Sequence, residues 1–377
     1  MDQDRRRSFA LALLPLLDTL RSARANDAPA SAAPGARDNE TMSPRSFGRL
    51  ADGSEVEIHT LGNPDGLQAE ILTLGGTLRS LTLPVKGKRL PLVLSLPDLP
   101  AYLKDTSYLG QLVGRYGNRI AGASFELDGR KYPLTANNGP NTLHGGEVGF
   151  GKYIWRVLGT GHGRNSYVKL GHHSPAGVNG FPGNLEVTAL ISVFDNTLTL
   201  AYEATTDAPT PVSFTWHPYF TLSGDFAKEI DEETMRIAAS HYLPVNDARV
   251  PTGEIAPVAG TPFDFRKAHS VRVPPPSSHE QIRLTGGFDH CWVLDKGAPI
   301  AAEVHSPSSG VTMRVKTTLP GLQVYGAYHL KTAYPGWHAI CLEPENFPDA
   351  PNHPNFPDSI LRPGVIHRSF MSFTFKA

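Results

Sequence analysis

The sequence has only two cysteines among its 377 residues, Cys291 and Cys341, which excludes a scaffold held together by many disulfides. Each sits in an apolar run, "HCWVL" and "AICLE". Two buried free thiols are the simpler expectation, with one disulfide as the alternative. No stretch of 18 apolar residues occurs, so no membrane-spanning helix is expected. Net charge is only −1, and neither nucleic acid nor an anionic membrane is expected as a partner. The chain also lacks a glycine-rich phosphate loop after a strand, an HExxH pair, a CxxC pair and any internal repeat. No cofactor and no metal is therefore expected. Long helical periodicity is scarce as well.

What the chain does contain is turn residues and alternation. Glycine (36) and proline (33) are frequent, and between them run segments in which every second residue is apolar. "EVEIHTLG", "LQAEILTLGGTLRSLTLP", "VTMRVKTTLPGLQVYGAYHL" and "RSFMSFTFKA" follow this pattern. The clearest is "NLEVTALISVFDNTLTLAYEATT". There Leu185, Val187, Ala189, Ile191 and Val193 would share one face, Asp195–Asn196 would turn the chain, and Leu198, Leu200 and Tyr202 would resume the alternation. Short strands separated by Gly, Pro and Asn predict an all-β fold, a large antiparallel β-sandwich or barrel. No shift in composition interrupts residues 46–377, which read as one domain.

Residues 1–45 are different. Three arginines, Arg5 to Arg7, precede an apolar run from Phe9 to Leu17, and Ala23-Arg24-Ala25 has the small-x-small form of a cleavage site. An export signal followed by a disordered linker is expected, and the adjacent arginines suggest the twin-arginine route. Pro15, Asp18 and Arg21 weaken the apolar run. The predicted location is periplasmic or secreted, with a disordered tail on a cytoplasmic protein as the alternative.

Four places break the alternation with polar residues that a strand does not need. "GRYGNRIAG" carries Asn118 and Arg119. "NNGPNTLHGG" ends with His144 between turn residues. "TPVSFTWHPYF" sets His217 among aromatics. "AICLEPENFPDAPN" ends an apolar strand at Glu343. Singly each has an ordinary explanation: a surface arginine, a turn histidine, a hydrogen-bonded core histidine, a helix cap or an ion-pair partner. Asp289 in "GFDHCW" reads as a turn aspartate. Together they supply a carboxylate and imidazoles, the usual partners for moving protons near neutral pH. Trp216, Tyr219 and Phe220 would offer an apolar platform for a sugar ring, and Asn, Asp, Arg and Gln would direct hydrogen bonds to hydroxyls.

At these residues the chain resembles the aldose 1-epimerases (galactose mutarotases). The resemblance is carried by "GRYGNRIAGASFELDG", "LTANNGPNTLHGGEVGFGKYIW", "NGFPGNLEV", "HYLPVNDARVPTGEI", "TPFDFR", "GFDHCWVL" and "CLEPENFPDAPNHPNFPDSILRPG", in that order, over residues 46–377. It implies the large antiparallel supersandwich of that family and a catalytic domain over 46–377. It also implies Glu343 as catalytic base, His217 as catalytic acid and His144 as a third catalytic residue beside the ring oxygen. Asn118, Arg119, Asp289 and Gln323 would bind sugar hydroxyls. The chain departs from the family at Trp216-His217-Pro218 and at Pro344-Glu345, the latter adding a second candidate carboxylate. The implied partner is a small-molecule sugar, bound by a monomer or a homodimer.

Other readings stay open at this point. One is a hexose-phosphate 1-epimerase, with Arg115, Arg119 and Lys152 as the nearest candidate phosphate ligands. Another is a non-catalytic carbohydrate-binding protein on the same sandwich. A glycosidase pairing Glu343 with Glu345 or Asp289 is a third.

Overall fold

A computed structural model describes residues 43–275, 278–328, 330 and 338–377. Of the expected export segment and linker over residues 1–45, residues 1–42 lie outside the described residues, and Arg45 already begins a strand, Arg45–Arg49.

Alternation becomes strands wherever one face can be buried. The hairpin Leu185–Phe194 and Thr197–Thr206 turns at Asp195–Asn196, as expected. Asp195 takes the left-handed conformation (φ 50°) that an aspartate tolerates in a two-residue turn. Its register sets Val193 opposite Leu198, Ile191 opposite Leu200 and Ala189 opposite Tyr202. All six face inward and are buried. Each large aliphatic side chain withdrawn from water contributes about 1.5–3 kcal/mol. A slip of one residue would turn the whole row to solvent.

This hairpin lies in an antiparallel nine-stranded sheet. Its strand order is Arg156–Gly161, Asn165–Ser174, Leu185–Phe194, Thr197–Thr206, His367–Lys376, Thr312–Thr317, Ala302–His305, Thr234–Ile237 and His269–Ser270. Two five-stranded antiparallel sheets accompany it. One runs in sequence order from Arg45–Arg49 through Glu55–Gly62, Gln68–Leu72 and Thr77–Val85 to Lys88–Pro91. The other is ordered Ala256–Pro257, Ala239–Leu243, Asp289–Leu294, Gly321–Tyr325, Cys341–Glu345. Inward residues of all three sheets share the main core: Ile71 and Leu83 from the first small sheet, Ile191 and Phe373 from the large one, Trp292 and Leu342 from the second small one. The result is the expected antiparallel sandwich, almost all strand.

Among the described residues no helix is long and apolar enough to cross a membrane. Cys291 and Cys341 are buried free thiols in separate clusters, so the disulfide alternative is not realised.

Candidate active site

One half of the site is a row across the second five-stranded sheet. Cys291 pairs with Gln323 and Gln323 with Glu343. Alternate residues on a strand share a face, so Asp289, two residues before Cys291, lies diagonal to Gln323. The Gln323 Nε2 donates to Asp289 Oδ1 at 2.7 Å, which fixes the otherwise ambiguous amide. Glu343 is on Cys341–Glu345, an edge strand, and that is where Pro344 can sit without losing a ladder hydrogen bond.

The other half comes from short ladders and loops. Arg119–Ile120 pairs with Thr142–Leu143, setting Leu143 opposite Arg119. One residue beyond, His144 N–H donates to the Asn118 carbonyl at 3.0 Å. The Asn118 N–H donates back to His144 Nδ1 at 3.1 Å. That bond makes Nδ1 an acceptor and leaves the ring proton to Nε2. Both residues are left-handed, φ 60° for Asn118 and 49° for His144, a conformation that Asn and His adopt more readily than most side chains.

The asparagines of "NNGPNTLHGG" do hold the loop. Asn137 accepts from the Leu143 N–H and donates to the Leu143 carbonyl. Asn138 accepts from Arg119 Nε, and Asn141 from the Gly122 N–H. The glycines are required by packing. A Cβ on Gly145 (φ +85°) would lie 2.1 Å from the Gly114 carbonyl oxygen, and one on Gly146 would collide with Asn179. They let the loop press against its own scaffold.

His217 follows Thr215–Trp216, which pairs with Leu112–Val113. Its N–H donates to the Gln111 carbonyl, and its carbonyl accepts from Gly110. The ring stacks on Tyr219 with centroids 4.9 Å apart. The expected aromatic platform is not there. Trp216 and Phe220 are fully buried core residues, and the Trp216 indole donates to Gly110 O. Their flanking of His217 in sequence reflects burial of the strand, not exposure to a ligand. Tyr108 supplies an aromatic surface instead. It is half-buried, 4.5 Å from the His144 ring and 6.2 Å from His217 between centroids, stacked on the latter. Nothing in "KDTSYLGQ" marks it, because its place depends on two distant loops.

The two halves meet at His217 and Glu343, with Nε2 of the histidine 3.6 Å from Oε2 of the carboxyl. His144 faces His217 edge-on at 5.4 Å. Polar atoms of the three lie within 4.8 Å of one another, close enough for one small group to touch them all. Asn118, Asp289 and Gln323 line a single narrow cleft with Arg249. The structure thus brings all seven expected residues into one neighbourhood, and Arg249 and Tyr108 are additions.

Burial governs the electrostatics. Glu343 is 2% exposed. Burial pushes its carboxyl well up, and the carboxyls of Glu345 and Asp289 push it further. His217 is driven down to about 4 by burial. His144 is held well below the usual histidine range by burial, then by His217 and Arg119. Burial thus lowers the proton affinity of both imidazoles and raises that of Glu343. A protonated Glu343 beside neutral His217 and an ionised Glu343 beside charged His217 differ only by one proton moved across the pair.

Two of the three basic residues considered for phosphate are otherwise engaged. Arg115 is buried and donates to the carbonyls of Ser174, Pro175, Pro182 and Gly183 and to the hydroxyls of Ser174 and Thr210. It is a structural clamp between segments. Lys152 Nζ donates to the Asp105 carbonyl.

Comparison with known proteins agrees with this architecture. A family model described as aldose 1-epimerase matches residues 57–374. A protein named galactose mutarotase from Sus scrofa is 37% identical over 342 residues, which span 87% of this chain and 97% of that one. One named aldose 1-epimerase from Escherichia coli is 34% identical over 340 residues, 86% of this chain and 97% of that one. Among solved structures, a galactose 1-epimerase from Lactobacillus acidophilus superposes with a TM-score of 0.78 at 28% identity, covering 88% of this chain and 98% of that one. An aldose epimerase homologue from C. elegans gives 0.75 at 30% identity, covering 85% and 99%.

Proposed function

The chain belongs to the aldose 1-epimerase family, and on that footing we propose that Glu343 and His217 are the base and the acid with which it interconverts the α and β anomers of free aldohexoses such as glucose and galactose. The observation that carries this reading is the buried pair itself, 3.6 Å apart, with burial acting oppositely on its two members.

In the ring-opening step the C1 hydroxyl gives its proton to ionised Glu343. Its electron pair forms the C1 carbonyl, the bond from C1 to the ring oxygen breaks, and the ring oxygen takes a proton from His217. The open aldehyde rotates about C1–C2. Closure on the other face returns both protons with the roles reversed. Hydrogen bonds from the bound sugar stabilise the ionised form of the pair, which burial disfavours. His144, its Nδ1 occupied by Asn118, presents Nε2–H toward the same region. Asn118, Arg119, Asp289 and Gln323 hold the hydroxyls.

Polarimetry of freshly dissolved α-D-galactose and α-D-glucose tests this. The protein should speed the approach to anomeric equilibrium, and Glu343→Gln should lose about 10²- to 10⁴-fold. An undiminished rate in the variant would reject Glu343 as the base. The arginine-led apolar stretch before Arg45 supports export from the cytoplasm, and an intact Met1 on the mature protein would overturn that part.

A further inference from the structure

Glu345 has no part in the chemistry just described, yet it is fully buried, 0% exposed, two residues after Glu343 on the same strand and therefore on the same face. One carboxyl oxygen, Oε1, accepts a hydrogen bond from Asn118 Nδ2 at 3.1 Å. The other, Oε2, has no hydrogen-bond partner among the described residues. The fold makes room for it: a Cβ on Gly117 would come within 3.0 Å of Oε2. An unexplained carboxyl in such a place is costly to bury.

We propose that Glu345 is a positioning residue of this site: it holds the Asn118 amide in the orientation that meets the sugar, and its carboxylate charge bears on Glu343. This inference rests on Glu343 being the base. The Asn118 amide is gripped at both ends, because its Oδ1 accepts from the Arg119 N–H at 2.9 Å while its Nδ2 donates to Glu345. The Arg119 N–H only donates, so it rejects the flipped amide that would present NH2 to it, and Glu345 takes the amide N–H at the other end. Asn118 also shapes His144 through two backbone-level bonds. Holding Asn118 therefore holds the wall opposite Glu343.

The charged and titratable groups facing Glu345 are Glu343 on its own strand, Asp289 and Cys291 on the next strand but one of the sheet, and Arg119 and Tyr116 from the opposite wall. Burial lifts the Glu345 carboxyl to about 8, while the Asn118 hydrogen bond and Arg119 pull it down. Once ionised, Glu345 repels a second negative charge on Glu343, so Glu343 keeps its proton to higher pH.

The experiment combines Glu345→Gln, Glu345→Ala, Asn118→Ala and the double variant Glu345→Ala with Asn118→Ala, each checked for folding by circular dichroism. Anomerisation is followed against pH and sugar concentration. Glu345→Ala should raise KM about tenfold, the loss expected for one buried charge-assisted hydrogen bond, and the double variant should be no worse than Asn118→Ala alone. Glu345→Gln, which retains an acceptor of the same shape, should recover most of the KM. It should also move the alkaline limb of kcat/KM to lower pH, because the neighbouring charge is gone. Additive effects of Glu345→Ala and Asn118→Ala, or an alkaline limb unmoved in Glu345→Gln, would overturn the proposal. Full activity in Glu343→Gln would instead refute the base, and the KM coupling between Glu345 and Asn118 reads out independently of it.

Discussion

The Nε2 of His217 and the Oε2 of Glu343 face each other across 3.6 Å in a space that water hardly reaches, though they are 126 positions apart in the chain. Among the described residues, neither the His217 Nδ1 nor the Glu343 Oε2 has a hydrogen-bond partner. Such groups are normally satisfied in a folded interior, so leaving them unsatisfied is a feature of the site.

The pair works with one proton between its members. Below about pH 4 His217 takes up a second, and at high pH Glu343 loses the last. The kcat/KM profile, which reports the free enzyme, should therefore be a broad plateau through neutrality. Its acid limb should lie near pH 4 and its alkaline limb well above the usual carboxylate range. Stopped-flow polarimetry from pH 3.5 to 10 measures it. An acid limb at pH 6–7, the ordinary histidine range, would show that burial does not set the proton affinity of His217.

Gly145 and Gly139 occupy one loop and both have positive φ, +85° and +57°, but only Gly145 is pressed against backbone. Gly139→Ala should cost about 1 kcal/mol through left-handed strain alone. Gly145→Ala should cost more, about 3 kcal/mol, and should slow turnover because it displaces His144. His144→Ala should slow turnover similarly while melting closer to the parent. Equal melting temperatures for the two glycine variants would remove the packing explanation.

Glu233 is 2% exposed and accepts from the Leu222 N–H at 2.9 Å, and burial lifts its carboxyl to about 7. Its folded value lies above the unfolded one of 4.5. Its contribution to stability is thus fully present below pH 4.5 and lost as pH rises through 7. Glu233→Gln removes that loss. Urea titrations should show the variant more stable by about 1–3 kcal/mol at pH 8 and no gain at pH 4.5. A gain of the same size at both values would exclude the ionisation mechanism.

Alternation was legible over Leu185–Tyr202 because period-two burial needs no knowledge of the partner strand, and the hairpin turn was written locally in Asp195–Asn196. His144, His217 and Glu343 stood out because a polar group that interrupts an apolar pattern needs a separate reason. The aromatics around His217 misled for the complementary reason. Trp216 and Phe220 alternate into the core, and sequence adjacency to a site residue says nothing about which face is shared. Arg115 looked available for phosphate only until its four carbonyl partners, 59 to 68 residues away, came into view. Tyr108 and the Asn118–Glu345 bond were invisible because they exist only once distant loops close on each other.

The bond between Asn118 and Glu345 spans 227 positions, and that from the Tyr116 hydroxyl to the Phe347 carbonyl spans 231. The hairpins of the large sheet are local and can zip early, whereas these contacts must join segments more than 200 positions apart and bear the entropy of that closure. No fragment holding only the first or the second half of the chain contains a working site. Recovery of activity on refolding is therefore a reporter of the last, longest-range closure of the domain, not of its secondary structure.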